Sequence, residues 1–209
     1  MTHEEKVAEL DKAFHEAVRR QMRAEGPPEV VATPGGAIAE WRGMSFGAAL
    51  AESIRAGRKT QTRRPMRPQP WAVTAGELGG PIDADGQRID CPLATEGGGL
   101  YVREPAKRKG DGGGFVYAAD GASGCLAASY TPRESARTFL RVTAVRCQRL
   151  HAITPDEARA EGMPDLLHDE PTLWFASVWD RFYSGELAWD ANPWIWAITF
   201  ELTDERPPT

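Results

Sequence analysis

The chain has 209 residues, with 30 acidic against 25 basic side chains and a formal charge of −5, which suits one domain with its own core plus appendages and argues against sequence-independent coating of duplex nucleic acid. It holds no run of about eighteen apolar residues to span a bilayer, and its charged amino terminus does not read as a secretory signal, so a cytoplasmic protein with no membrane partner is expected. Cys91, Cys125 and Cys147 form no C-x-x-C pair and His3, His15, His151 and His168 are scattered, so no disulfide framework, no structural metal and no cofactor are expected.

Thr2-His3-Glu4-Glu5 reads as a capping box, and Val7, Leu10, Phe14, Val18 and Met22 follow at helical spacing, predicting an amphipathic helix over 1–25. Its apolar stripe must bury against the body of the chain or against a second copy in a homodimer. Residues 26–36 are punctuated as a linker. A short strand is expected within Ala37 to Met44. Phe46, Leu50 and Ile54 then predict a helix closed by Gly57 as a left-handed cap, its carboxyl end suited to cations.

Residues 66–98, rich in Pro, Gly and Asp, read as a long loop. Leu100 to Glu104 and Phe115 to Ala118 suggest two strands of a hairpin. The glycine clusters near them lack the strand–loop–helix context of a nucleotide-phosphate cradle. Thr138 to Leu150 is the strongest strand pattern, with Leu140, Val142 and Ala144 on one face and Arg141, Thr143 and Val145 on the other. Thr154 caps a short helix with Pro155 at its first position and acid in its first turn, ending at Gly162. Pro171 to Tyr183 predicts a further helix carrying Trp174, Val178 and Phe182 beside Phe175, Trp179 and Tyr183. Such a stripe is core in most proteins, and less often a surface for stacking bases. Pro193 to Leu202 alternates as a half-buried strand suited to completing a small barrel. The whole predicts an α+β domain over 37–205.

Six basic residues and no acidic one fall between Arg55 and Arg67. In an acidic chain this is a local concentration, fitting an anionic or acceptor-rich ligand such as nucleic acid, or else a solvated basic turn. Within it, Gly57, Lys59, Thr62 and Arg64 fit a G-x-K-x-x-[E/T]-x-R pattern. On these residues the chain resembles the ASCH family, whose members have a PUA-like β-barrel. Val102-Arg103-Glu104, Ile153 to Gly162 and Trp189 to Trp196 follow in the order found in ASCH-type proteins of bacteriophages and prophages. The resemblance runs over roughly Met44 to Leu202.

Similar ASCH proteins of the amidohydrolase type remove the acetyl group of N4-acetylcytidine with a lysine, a threonine and a glutamate. The resemblance carries these roles to Lys59, Thr62 and Glu161, with Arg58, Arg63, Arg64 and Arg103 as ligand-binding cations. The chemistry is coherent. A threonine hydroxyl needs a base to become a nucleophile, and a lysine held neutral by burial and neighbouring arginines is one. Two readings compete with it: a non-catalytic module binding single-stranded nucleic acid or a modified base, and a metal-independent ribonuclease. In an ideal strand Lys59 and Thr62 point to opposite faces, so their cooperation requires a loop or bulge after Gly57.

Overall fold

A computed structural model describes residues 31–32, 40–74, 80–110, 112–163 and 170–207. The N-terminal helix over 1–25, and most of the 26–36 linker, lie outside the described residues. Ten strands are present among the described residues: β1 (Val31–Ala32), β2 (Trp41–Ser45), β3 (Gln61–Pro65), β4 (Ala72–Thr74), β5 (Gly80–Ile82), β6 (Gly99–Arg103), β7 (Ala106–Arg108), β8 (Phe115–Tyr117), β9 (Phe139–Arg149) and β10 (Trp194–Leu202). In the same residues lie the α-helices α1 (Ala48–Arg55), α2 (Pro155–Ala160) and α3 (Pro171–Trp179). The class is α+β, as the sequence suggests.

The main sheet runs β2-β6-β9-β10-β3, with β1 also paired to β9. Among the described strands of this sheet, only β2 and β6 pair in parallel. A closed barrel is not formed: β2 and β3 are the two edges, and no ladder joins them among the described residues. The sheet is nonetheless strongly rolled. Four strand spacings of about 4.8 Å would hold flat edges roughly 19 Å apart, yet Arg64 Nη2 on β3 donates to the Ser45 carbonyl on β2 at 3.2 Å. Strand twist curls the sheet until its edges come within the reach of one arginine side chain and leaves an open seam.

Two apolar clusters sandwich β10. Trp196, Ile198 and Phe200 pack with Met44, Leu100, Val142 and Val145 on one side. On the other, Ile195 and Ala197 meet Leu150, Phe175, Trp179 and Trp189 from the helical layer. The strand is therefore buried on both faces, where alternation suggests a half-buried one, and Leu202 is exposed rather than inward. Burying a large apolar side chain contributes roughly 1.5–3 kcal/mol. This packing holds α3, whose nine residues are too few for an isolated helix.

Three further expectations are corrected. Phe200 pairs with Val142 and Thr199 with Ala144, so Thr143 is an extra residue in β9. This bulge turns Val145 to the Leu140 and Val142 face, against simple alternation. Phe115–Tyr117 pairs with Ala106–Arg108 rather than with the strand at 99–103, which takes β2 and β9 instead. The stretch 66–98 is not merely a loop. It folds β4 against β5 as a small ribbon, whose three-residue strands, one of them Gly-Pro-Ile, are too short to show a period.

Candidate functional site

α1 ends in a Schellman turn. Gly57, at φ +72°, donates its N–H to the Ile54 carbonyl, and the Arg58 and Lys59 N–H groups both reach the Ser53 carbonyl. Lys59 thus lies in an irregular link ahead of β3, free of strand alternation. The Thr60 N–H is held by the Ala160 carbonyl while its own carbonyl takes the Phe200 N–H, which docks the end of α2 against this link.

α2 begins with a full capping box between Thr154 and Glu157 and ends at Glu161-Gly162. Gly162 has φ +95°, and a Cβ there would stand 3.0 Å from Ser53 Oγ and 3.1 Å from Lys59 Cβ. Only glycine lets the two segments approach this closely. In consequence Glu161, 102 residues from Lys59 in the chain, offers it both a side-chain Oε2 at 2.7 Å and its carbonyl at 2.8 Å. The Gln61 carbonyl at 2.6 Å takes the third ammonium proton.

The charges continue in alternating order. Glu161 Oε1 accepts from Arg63 Nη1 at 3.1 Å, Arg63 Nη2 donates to Glu157 Oε2 at 2.8 Å, and Arg146 Nη2 reaches Glu157 Oε1 at 2.5 Å. Burial pushes the Lys59 ammonium below its ordinary value, Glu161 pulls it back up, and Arg64 and Arg63 push it further down, leaving it lowered. Glu157 is raised by burial but more strongly held down by Arg63, the Thr154 N–H and Arg146.

Arg64 lies on the opposite face of β3 from Arg63. Its Nη1 donates to Thr62 Oγ1 at 2.8 Å and to the Arg63 carbonyl at 2.9 Å. With the Ser45 contact this uses three of its five N–H donors and leaves two. Thr62 is buried, and among the described residues its own hydroxyl proton has no acceptor. No hydrogen bond joins Lys59 to Thr62: the ammonium is turned to Glu161 and the hydroxyl to Arg64.

All five of these residues, Lys59, Thr62, Arg63, Arg64 and Glu161, line one cavity of about 290 Å³ at the open seam. Its sides are aromatic. Phe46 and Leu50 form one, and Trp174, Phe175, Phe182 and Tyr183, from α3 and the turn beyond it, form the other. Phe46 also lies 5.9 Å from Lys59 Nζ and 5.4 Å from Arg64 Cζ. Apolar sides over a donor-rich floor suit a flat heteroaromatic ring held by its faces and read along its edge.

The basic run of the sequence is therefore not a single surface patch. Lys59 and Arg63 are interior, Arg55 is engaged with buried Glu104 at 2.9 Å, and Arg58 and Arg67 are exposed. Two expected ligand-binding residues fall outside the cavity: Arg58, which points to solvent, and Arg103 on β6, whose Nη2 donates to the Gly43 carbonyl at 3.4 Å. Glu157 escapes a reading of motifs alone, although its place at the third helical position after Thr154 is the capping-box signature. Phe46 carries no signal of its pocket role. Among the described residues no helix is long and apolar enough to cross a membrane.

No family model matches the sequence, and no curated protein matches it. Two solved structures are similar in architecture. Protein EF3133 of Enterococcus faecalis V583, from the family DUF984, has 13% identity and a TM-score of 0.41, covering 83% of this chain and 88% of that one. An ASCH domain of Lactobacillus crispatus JV V101 has 12% identity and a TM-score of 0.39, covering 78% of this chain and 79% of that one.

Proposed function

We propose that the seam cavity binds a nucleobase or nucleoside, free or at an unpaired position of RNA. The ring lies against the aromatic side formed by Trp174 and Phe182, and its edge meets Thr62, Arg64 and Glu161. The observation that carries this reading is the meeting of Lys59, Thr62, Arg64 and Glu161 on the floor of one aromatic-sided cavity. The remaining Arg64 donors and the Thr62 hydroxyl suit carbonyl or ring-nitrogen acceptors, and the spare lone pairs of Glu161 suit an exocyclic amine. Titrating the purified chain with free nucleosides, modified and unmodified, by calorimetry tests it. Saturable heat with at least one nucleoside is expected, and flat titrations with all of them refute the reading.

A second reading, amide hydrolysis of N4-acetylcytidine, is favoured by the same meeting of Lys59, Thr62 and Glu161. Thr62 Oγ would attack the acetyl carbon and pass its proton to Lys59. The acetyl group would then move to Thr62 as cytidine departs with a proton on N4, and water would release acetate. For this the Lys59 amine must turn from Gln61 and Glu161 towards Thr62 on ligand entry, and the burial that lowers its proton affinity favours that role. Chromatography of N4-acetylcytidine incubated with the protein should show cytidine, lost in Thr62→Ala. Turnover that survives Thr62→Ala removes Thr62 as nucleophile.

A further inference from the structure

Outside the cavity, the face of β2 and β6 turned away from the core has an unusual composition. The parallel register sets Trp41 beside Gly99, Gly43 beside Tyr101 and Ser45 beside Arg103. Each aromatic ring lies over the glycine of the other strand. An added Cβ would stand 2.4 Å from the Trp41 ring at Gly99 and 2.7 Å from the Tyr101 ring at Gly43. A side chain on a strand ordinarily stands away from the sheet; these rings lean over the neighbouring strand instead. Both are only half-buried.

Guanidinium groups surround them. Among the described residues Arg103 continues the row with no carboxylate partner, and its buried Nε has no hydrogen-bond partner. The exposed Arg133 stands 5.8 Å from the Tyr101 ring. Arg206 lies 4.3 Å from the ring of Phe139, the residue paired with Tyr101 in β9. Rings laid over glycines also stabilise sheets, which accounts for Trp41 and Tyr101 but not for Arg103, which no salt bridge compensates among the described residues. The row has a direction too. Side chains two apart on a strand are about 6.6 Å apart, and the sequence Trp41, Gly43, Ser45 ends at the cavity, which Ser45 lines.

We propose that this face is a track for single-stranded nucleic acid, with bases stacked on Tyr101 and Trp41, phosphates met by Arg103, and the strand directed towards the seam cavity. Delivery of a base into the cavity rests on the reading given above; the track itself does not. Stacking on exposed aromatics with arginines along the backbone is the chemistry of single-strand binding and tolerates many sequences. A duplex cannot offer its base faces to such a surface.

The test uses the full chain and fluorescently labelled single strands of about ten nucleotides, RNA and DNA of one sequence, read by anisotropy. Free nucleosides are titrated in parallel to report the cavity. Tyr101→Leu and Arg103→Gln should each weaken strand binding by roughly fivefold or more while leaving nucleoside binding unchanged. Affinity should fall steeply between about 50 and 200 mM salt. Thermal melts verify folding, and if Tyr101→Leu is unfolded, Arg103→Gln carries the comparison. Strand affinity unchanged in the folded variants, absent in the parent chain, or equalled by a duplex of the same sequence overturns the track. Loss of strand binding in the variants with no nucleoside binding in any form sustains the track and refutes the cavity reading instead. RNA and DNA arms that differ identify the sugar preferred, and similar ones identify stacking without sugar readout; either sustains the proposal.

Discussion

Glu161→Gln isolates the charge on which the floor of the cavity is built. Glutamine keeps the shape and the backbone carbonyl, but Lys59 and Arg63 lose the carboxylate that meets them at 2.7 and 3.1 Å, and one of them faces the amide NH2, a donor, in place of an acceptor oxygen. Both cations are almost fully buried, at 3% and 2% exposure. Removing one partner of a buried ion pair costs about 3–5 kcal/mol. Arg63 retains Glu157 and Lys59 can lose its proton, which places the loss near the lower end, about 3 kcal/mol. For a chain of this length that is a fall in melting temperature of roughly 6–12 °C near neutral pH. The pH dependence has a definite sign. With Glu161 neutral, the influences left on Lys59 (burial, Arg64 and Arg63) all lower its value. Between that lowered value and the ordinary 10.5, the unfolded chain holds more protons than the native one, so the variant gains stability as pH rises. Thermal unfolding from mildly acidic to alkaline pH should therefore show a deficit that shrinks towards alkaline pH. A melting temperature within about 2 °C of the parent at neutral pH, or a deficit that widens with pH, refutes the argument.

Gly162→Ala should cost about 1–2 kcal/mol or more, from its left-handed backbone and the close approach to Ser53 and Lys59; urea denaturation showing a loss under about 0.5 kcal/mol contradicts the docking of α2 on Lys59. Because Glu157 sits below its ordinary value near 4.5, its contribution is present above that value and lost as pH falls through the lowered one. The parent chain should accordingly lose melting temperature more steeply than Glu157→Gln below pH 4.5, and parallel curves would deny Glu157 that role. Phe182 is 71% exposed, so Phe182→Ala should leave stability within about 0.5 kcal/mol. The same change should weaken nucleoside binding roughly fivefold or more, and unchanged binding takes Phe182 off the cavity wall.

Local signals in the sequence proved legible where a single residue does a local job. Gly57 announces the end of α1 because few other residues adopt its backbone, and Thr154-Pro155-Asp156-Glu157 announces α2 because capping chemistry is confined to four positions. The adjacency of Lys59 and Glu161 has no such signal. It arises from Gly162 meeting Ser53 and from Thr60 bridging Ala160 and Phe200, contacts between segments about a hundred residues apart. Alternation failed for β9 and β10 for related reasons. One inserted residue at Thr143 reverses a face, and a period of two cannot report that both faces of β10 are covered by separate layers. The basic run misled most, since counting charges gives their density along the chain but not their destination. Arg63 is an internal counter-ion to two glutamates, a fate decided by α2.

The unpaired seam has a consequence for how the cavity can change. A backbone ladder fixes the spacing of the strands it joins, whatever their side chains. Between β2 and β3 the spacing rests on the Arg64 contact to Ser45 and on the bulk of Phe46, so substitutions at these positions resize the opening while the ladders of the sheet stay as they are. Selectivity for larger or smaller rings is thereby tunable by side chains on a frame that need not move.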